Sequence, residues 1–332
     1  MTTKGKRSSS KPNDFRLIEK YHAASMDASE KHSFLDTIKK KGIGYHKIGE
    51  LSHAHHFYKY MSLDFALDCI ENNKICFVEP SRWQDKYERR FYEADYSKQT
   101  SNKEDCPLLY STCVTMTRFN EAAWKLYTYG KTGLGATCVE FQINKFRFRR
   151  QLVNAASEGD KIYEGEVMYC SQSMIDNIHK REIEEKGSIV PNKYYDKYVK
   201  RNEGVSYLNN YMNLLLMKRD AFKHENETRF FIQKNGKENS EKARKIIEND
   251  KVFWGETLEL DINWIDVIEK VYINAEENSR EYKLLSEALK KKLNEKYTDD
   301  NEPEKERIWE STLKPSSYFV YGQQLNERLV IE

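Results

Sequence analysis

The run His56-Phe57-Tyr58-Lys59-Tyr60 alternates bulky aromatic with polar side chains and reads as a β-strand. Ser62 follows in an N-cap position, and Leu63, Ala66, Leu67 and Ile70 recur at helical spacing until Asn72-Asn73 ends the helix. Lys74-Ile75-Cys76-Phe77-Val78 is then a second strand, stopped before Pro80. The globular core therefore begins near His56.

Downstream of it, strands are expected at 108–116, 136–141, 164–169, 228–232, 258–261, 267–273 and 317–321. Helices are expected at 120–129, 145–156, 209–222 and 279–293, with a mainly polar helical insertion over 171–217. Tyr110, Thr112, Val114 and Met116 share one side of the first of these strands. Upstream, residues 15–55 carry weak helical periodicity, with Leu17, Ile18 and Tyr21 on one face and Phe34, Leu35 and Ile38 on another. Residues 1–14 are basic and Ser-rich and read as a disordered tail, and the acidic stretch 297–306 reads as mobile. The organisation is a core over 56–275 and a C-terminal helix and strand over 276–332. Strands and helices alternate without βαβ regularity, so the fold class is α+β with a mixed, mainly antiparallel sheet and helical insertions.

Composition narrows the function classes. The 332 residues hold 55 Lys and Arg against 53 Asp and Glu, a formal net charge of +2, so no global field favours nucleic acid or membrane. No apolar run is long enough to span a bilayer, and the N-terminus has no signal-peptide core. Cys69, Cys76, Cys106, Cys113, Cys138 and Cys170 form no C-x-x-C pair, which suits reduced thiols and a cytoplasmic location. There is no G-x-x-x-x-G-K-[ST] loop, no G-x-G-x-x-G and no G-x-S-x-G. His53, His55 and His56 cluster without an acidic or thiol partner in sequence, so no metal site is assigned.

Several short motifs recur in an order that resembles the bacterial domain-of-unknown-function family 2971. They are Tyr58-Lys59-Tyr60 on the first strand, Gln84-Asp85-Lys86-Tyr87-Glu88, and Cys113-Val114-Thr115. Trp124 to Tyr127 in a Trp-x-x-Tyr helix, the step from Gly135 into a strand, and Glu225-Asn226-Glu227-Thr228-Arg229 complete the series. The likeness runs from about His56 to Ile273. Gln84-Asp85-Lys86-Tyr87-Glu88 lacks the Asn and Pro of the family's Asn-Asp-Pro-Phe-Glu.

That family label implies no activity, but Glu-x-Glu at the mouth of a strand resembles the acidic motif of ADP-ribosyltransferases. Those enzymes open on an aromatic and basic strand, carry a Ser/Thr strand in the middle and end on the glutamate strand. The resemblance implies NAD as substrate and an ADP-ribosyltransferase-like fold. It implies Glu227 and Glu225 as catalytic acids, Lys59 as the cation on the pyrophosphate, and Thr115 and Thr117 in the Ser/Thr element. Tyr58, Tyr60, Trp124 and Tyr127 are the aromatic candidates for holding the cofactor. Cleavage of the nicotinamide–ribose bond creates an oxocarbenium-like centre, which a nearby carboxylate stabilises. Side chains repeat every two residues along a strand, so Glu225 is expected to point with Glu227 and to handle the proton of the nucleophile. Bland readings stand beside each of these. Glu227 and Arg229 also fit a surface ion pair, Trp124 and Tyr127 also fit a core face, and Thr115 and Thr117 are ordinary strand formers.

Three functions compete on these residues. The first is an NAD-dependent ADP-ribosyltransferase, a toxin-type effector of anti-phage defence acting on protein or nucleic acid, with Lys145-Phe146-Arg147-Phe148-Arg149-Arg150 as the basic-aromatic run for the latter. The second is a metal-dependent nuclease or hydrolase using Asp85, Glu88, Glu225 and Glu227. The third is a non-enzymatic module whose helices bind a partner protein, an antitoxin or regulator.

Overall fold

The computed structural model describes residues 28–49, 51–52, 54–99, 109–180, 212–234, 257–275, 278–296 and 313–315. Twelve strands run in chain order: β1 Gly44–Ile48, β2 His56–Ser62, β3 Lys74–Phe77, β4 Leu109–Thr115, β5 Cys138–Asn144, β6 Lys161–Glu166, β7 Met168–Cys170, β8 Met217–Arg219, β9 Glu227–Gln233, β10 Leu258–Asp261, β11 Ile268–Ile273 and β12 Leu313–Pro315. Eight of them form one open sheet in the order β1-β6-β9-β4-β2-β5-β11-β12. Only β1–β6 and β11–β12, at its two ends, pair in parallel; the interior pairs are antiparallel. The class is mixed α and β with a mainly antiparallel sheet. β3 leaves the main sheet and pairs with β10, so the opening strand, helix and strand do not lie side by side.

The helices are α1 Ala28–Lys41, α2 Leu63–Asn72, α3 Lys86–Gln99, α4 Glu121–Thr128, α5 Lys145–Ala155, α6 Gln172–His179, α7 Trp264–Val267 and α8 Arg280–Lys296. Local chemistry sets their ends. Asn144 accepts from the N–H groups of Phe146 and Arg147 at the start of α5, and Asn73 takes the left-handed conformation that stops α2. Ser62 occupies the N-cap of α2 but caps nothing with its side chain; its hydroxyl accepts from Lys131 at 3.1 Å instead.

Pleating divides the sheet into two faces. One face buries Phe57, Met61, Phe141, Ile143, Phe230, Ile232 and Val271 beneath Phe34 and Ile38 of α1, Leu63 and Ile70 of α2, Phe148 and Leu152 of α5, and Leu285 and Leu289 of α8. The other face carries a cluster around Phe91, Tyr163, Leu216 and Phe231 and a smaller one of Tyr60, Trp124, Cys138 and Tyr272. Gly165 of β6 permits one close approach on this second face. A Cβ there would stand 2.3 Å from Leu216 Cδ1 and 3.2 Å from Ile48 Cβ.

Several expectations need correction. Within the stretch 15–55, the described residues 28–48 are not a separate helical segment, because β1 is an edge strand of the main sheet and α1 packs into its core. The Gly42 turn, with φ 62, ends the helical pattern, and the short β1 was hidden behind it. The helix expected at 209–222 is a helical turn at 212–215, then β8, then a 3-10 turn Asp220–Glu225. The basic run 145–150 is no nucleic-acid surface, since Lys145, Phe146, Phe148 and Arg149 are buried. Arg149 is ion-paired with Glu164, which also accepts from the Tyr45 hydroxyl at 2.6 Å. The N-terminal tail, Leu17, Ile18, Tyr21, Cys106, most of the 171–217 insertion, the acidic stretch 297–306 and the strand expected at 317–321 lie outside the described residues. Among the described residues no helix is long and apolar enough to cross a membrane.

Candidate functional site

The Glu225-Asn226-Glu227 motif is a clamped corner, not a continuous strand. Glu225 ends the 3-10 turn, Asn226 takes a left-handed φ of 43, and β9 starts at Glu227. The Thr115 hydroxyl, at the end of β4, donates to the Glu225 carbonyl at 2.5 Å, and the Met116 N–H donates to the Asn226 carbonyl at 2.9 Å. The Asn120 amide donates to the His224 carbonyl at 2.7 Å while its oxygen caps α4. Asn tolerates the left-handed region better than most residues, which explains its place between the two acids. Glu225 and Glu227 therefore do not converge through strand alternation as the sequence suggests.

They converge on Lys218. Its ammonium lies 2.6 Å from Glu225 Oε2, 3.0 Å from Glu227 Oε2 and 3.6 Å from Glu88 Oε1. Arg229 closes the network. Its Nε donates to Glu227 Oε1 at 2.8 Å, Nη1 to the Leu215 carbonyl at 2.6 Å, and Nη2 to the Glu88 carboxylate. The guanidinium also lies 4.3 Å from the centre of the Trp83 ring. Beside it, Arg219 is bound to Asp85 at 2.9 Å and packs on Tyr87 and Phe222. The Glu227–Arg229 pair is thus a buried pair, 7% and 2% exposed, and not the surface pair the sequence also allowed. Glu225 is the open member, with its side chain 22% exposed.

Three carboxylates here are in direct contact with two cations, Lys218 and Arg229, and Lys59 also feels the charge of Glu227. Burial pushes the Glu227 carboxyl up, but Arg229 and Lys218, with the Cys113 thiol donating to it, outweigh this and hold it down at about 2. Burial raises Glu225; Lys218 opposes the rise, while Glu227 and Glu88 add to it. Burial acts to lower Lys218, but the surrounding carboxylates win and raise it. The network thus holds one acid, Glu227, in its ionised form and raises the other, Glu225.

Cross-strand register locates the other candidates. Thr115 stands opposite both Glu227 and Tyr58, and Tyr58 stands opposite Gln142, so one row on the second face reads Glu227, Thr115, Tyr58, Gln142. Tyr127 of α4 leans over this row. Burial raises its hydroxyl, and Cys113, Glu227 and Glu225 add to the effect, while the residue as a whole is 41% exposed. Thr117 is held through its backbone: its carbonyl accepts from the Tyr60 hydroxyl at 3.1 Å and its N–H donates to Thr115 Oγ1 at 3.0 Å. Trp124 is 1% exposed and packs edge-on to Tyr60, so neither presents a face for stacking. Lys59 pairs with Phe141 and points to the opposite face of the sheet. There it donates to Thr112 Oγ1 at 3.2 Å and to the Cys113 carbonyl at 2.9 Å, on the edge of β4 that β2 leaves uncovered. Burial lowers its ammonium. Lys59 therefore fills the gap between two splayed strands and cannot grip a ligand on the Glu227 face. Sequence reasoning missed Lys218 because it read the segment as a helix face.

Residues 123–230 match the model of a protein family of unknown function, DUF2971. No curated protein and no solved structure matches the chain. The DUF2971 stretch begins in α4, ends in β9 and contains Lys218, Glu225, Glu227 and Arg229. It is shorter than the likeness expected from sequence; β2, the Asp85–Glu88 segment and β4 precede it. Among the described residues no group of three or more His, Cys, Asp and Glu is arranged to hold a metal ion. Asp85 and Glu88 face Arg219 and Arg229 instead.

Proposed function

We propose that the chain cleaves the nicotinamide–ribose bond of NAD and transfers ADP-ribose, with Glu225 touching the substrate and Glu227 positioning it. The observation that carries this reading is the Glu88–Lys218–Glu225–Glu227–Arg229 network, in which three carboxylates contact two cations and Glu225 is the partly exposed member. An anion beside the ribose stabilises the positive charge that develops as nicotinamide leaves. The raised carboxyl of Glu225 suits it to take the proton of the attacking group. Glu227 stays ionised and, through Lys218, fixes where Glu225 stands. Tyr127, partly exposed over the row, is the aromatic face available to the nicotinamide ring. Adjacent placement of β2, β4 and β9 is consistent with the strand order of the ADP-ribosyltransferase likeness.

The test uses NAD labelled in the adenylate and the full chain in bacterial lysate. Label should enter macromolecules only when nicotinamide is released, and nuclease or protease treatment then assigns the acceptor to nucleic acid or protein. Activity that requires a divalent metal but ignores NAD would support hydrolase chemistry at these acids instead.

A further inference from the structure

Beside the acidic network, on the same sheet face, a second group of side chains has no part in the chemistry above. Register places Glu140 of β5 between Tyr60 of β2 and Tyr272 of β11. Phe119 covers this row, its ring 5.1 Å from that of Tyr272 and inclined at 82° to it. Two aromatic walls thus meet at nearly a right angle, with Tyr58 packed against the same cluster. The corner already holds a cation. The Arg118 guanidinium lies 4.0 Å from the Phe119 ring centre and 4.4 Å from that of Tyr272.

Two independent features suggest that the corner is built to hold more than its own side chain. Glu140 is fully buried, its Oε2 accepts the Phe119 N–H at 3.0 Å, and the Tyr60 hydroxyl and the Trp124 indole stand beside the same carboxyl. Burial pushes this carboxyl up, and the Tyr60 hydroxyl, the Phe119 N–H and the Arg118 cation oppose the rise. Phe119 has a φ of 53, an outlier for a bulky side chain. The cost of that backbone is met by the Glu140 contact and by Tyr60, whose hydroxyl accepts the Asn120 N–H at 2.9 Å. Such strain persists where a ligand clamp is held by its surroundings. Aromatic faces attract cations through the ring quadrupole, and weakly hydrated ones lose little on leaving water.

We infer that Tyr58, Phe119 and Tyr272, over Glu140, form an aromatic cage for a weakly hydrated organic cation of the methylated ammonium or guanidinium class, with the exposed Arg118 side chain as its resident plug. The incoming cation takes the place of the Arg118 guanidinium, which swings into solvent. Tyr58 stands two strands from Glu227, about 10 Å at ordinary strand spacing, so the cage adjoins the acidic network. The inference does not depend on the glycosyl-transfer reading.

Binding of tetramethylammonium chloride is measured by calorimetry on the full chain, on Arg118→Ala and on Arg118→Met. Removing the plug should tighten binding about tenfold, and 3,3-dimethylbutanol, the neutral isostere of choline, should bind about tenfold more weakly than choline itself. Adding Tyr272→Leu to either plug variant should abolish the gain. A trimethyllysine peptide that binds more tightly than the free ion would put the cation on a protein; equal binding would make it a small molecule. The inference is overturned if neither plug variant binds the cation, or if binding survives Tyr272→Leu. Circular dichroism of each variant verifies that the fold persists, and Arg118→Met keeps the test open should Arg118→Ala unfold.

Discussion

At the residue scale, the two acids of one motif have opposite characters. Glu227 is the hub of a buried ion network and Glu225 its open end. Removing one partner of a buried pair leaves an unpaired charge, so Glu227→Gln should cost about 3–5 kcal/mol in urea unfolding. The loss has a pH signature. The folded carboxyl is depressed to about 2, so its contribution is present above the unfolded carboxyl value near 4.5 and fades as pH falls through 2. Unfolding free energy plotted against pH should fall through that window in the native chain, and this part of the fall should be missing in Glu227→Gln. Glu225 behaves in the other sense. Its carboxyl is raised, so an activity that needs it ionised should fade on acidification at a pH above the ordinary carboxylate range. Nothing in the sequence showed that the two glutamates meet at Lys218, because Lys218 sits in a segment whose apolar spacing imitated a helix.

At the element scale, the corner between the 3-10 turn and β9 depends on β4. Thr115→Val keeps the strand shape and removes the hydroxyl that holds the Glu225 carbonyl. Stability should fall by about 1 kcal/mol, while nicotinamide release falls further because Glu225 loses its fixed position. Equal activity in the variant and the native chain would show that the clamp does not position the acid. Gly165 makes a parallel case on β6. An Ala there meets Leu216 and Ile48, and the overpacking should cost about 1–3 kcal/mol in a thermal melt. Strand periodicity revealed β2, β4, β5, β9 and β11, because half-buried strands alternate visibly. It did not reveal β1, a short strand behind a helix and the Gly42 turn, nor β8. It also put Lys59 with the tyrosines beside it, although neighbours in a strand face opposite ways.

At the scale of the whole molecule, one sheet joins segments distant in sequence. β1, from the part read as a separate helical segment, pairs with β6, and β6 pairs with the glutamate strand β9. Phe34 of α1 lies in the same core as Phe230 of β9. Phe34→Ala should therefore lower the single main unfolding transition by about 3–5 kcal/mol, and fluorescence and circular dichroism should report coincident curves. An early transition that leaves the rest of the curve unchanged would mean that α1 and β1 unfold as a separate unit. The partnership of β1, β6 and β9 depends on long-range pairing that no local pattern encodes.

The account rests on Glu225 as the group that acts on a substrate. Nicotinamide release from NAD is the most direct measurement, followed by chromatography for the native chain and for Glu225→Gln at matched thermal stability. Steady release is expected from the native chain, with a fall of about 100-fold or more in the variant. Equal release by both, or none by the folded native chain, would contradict it.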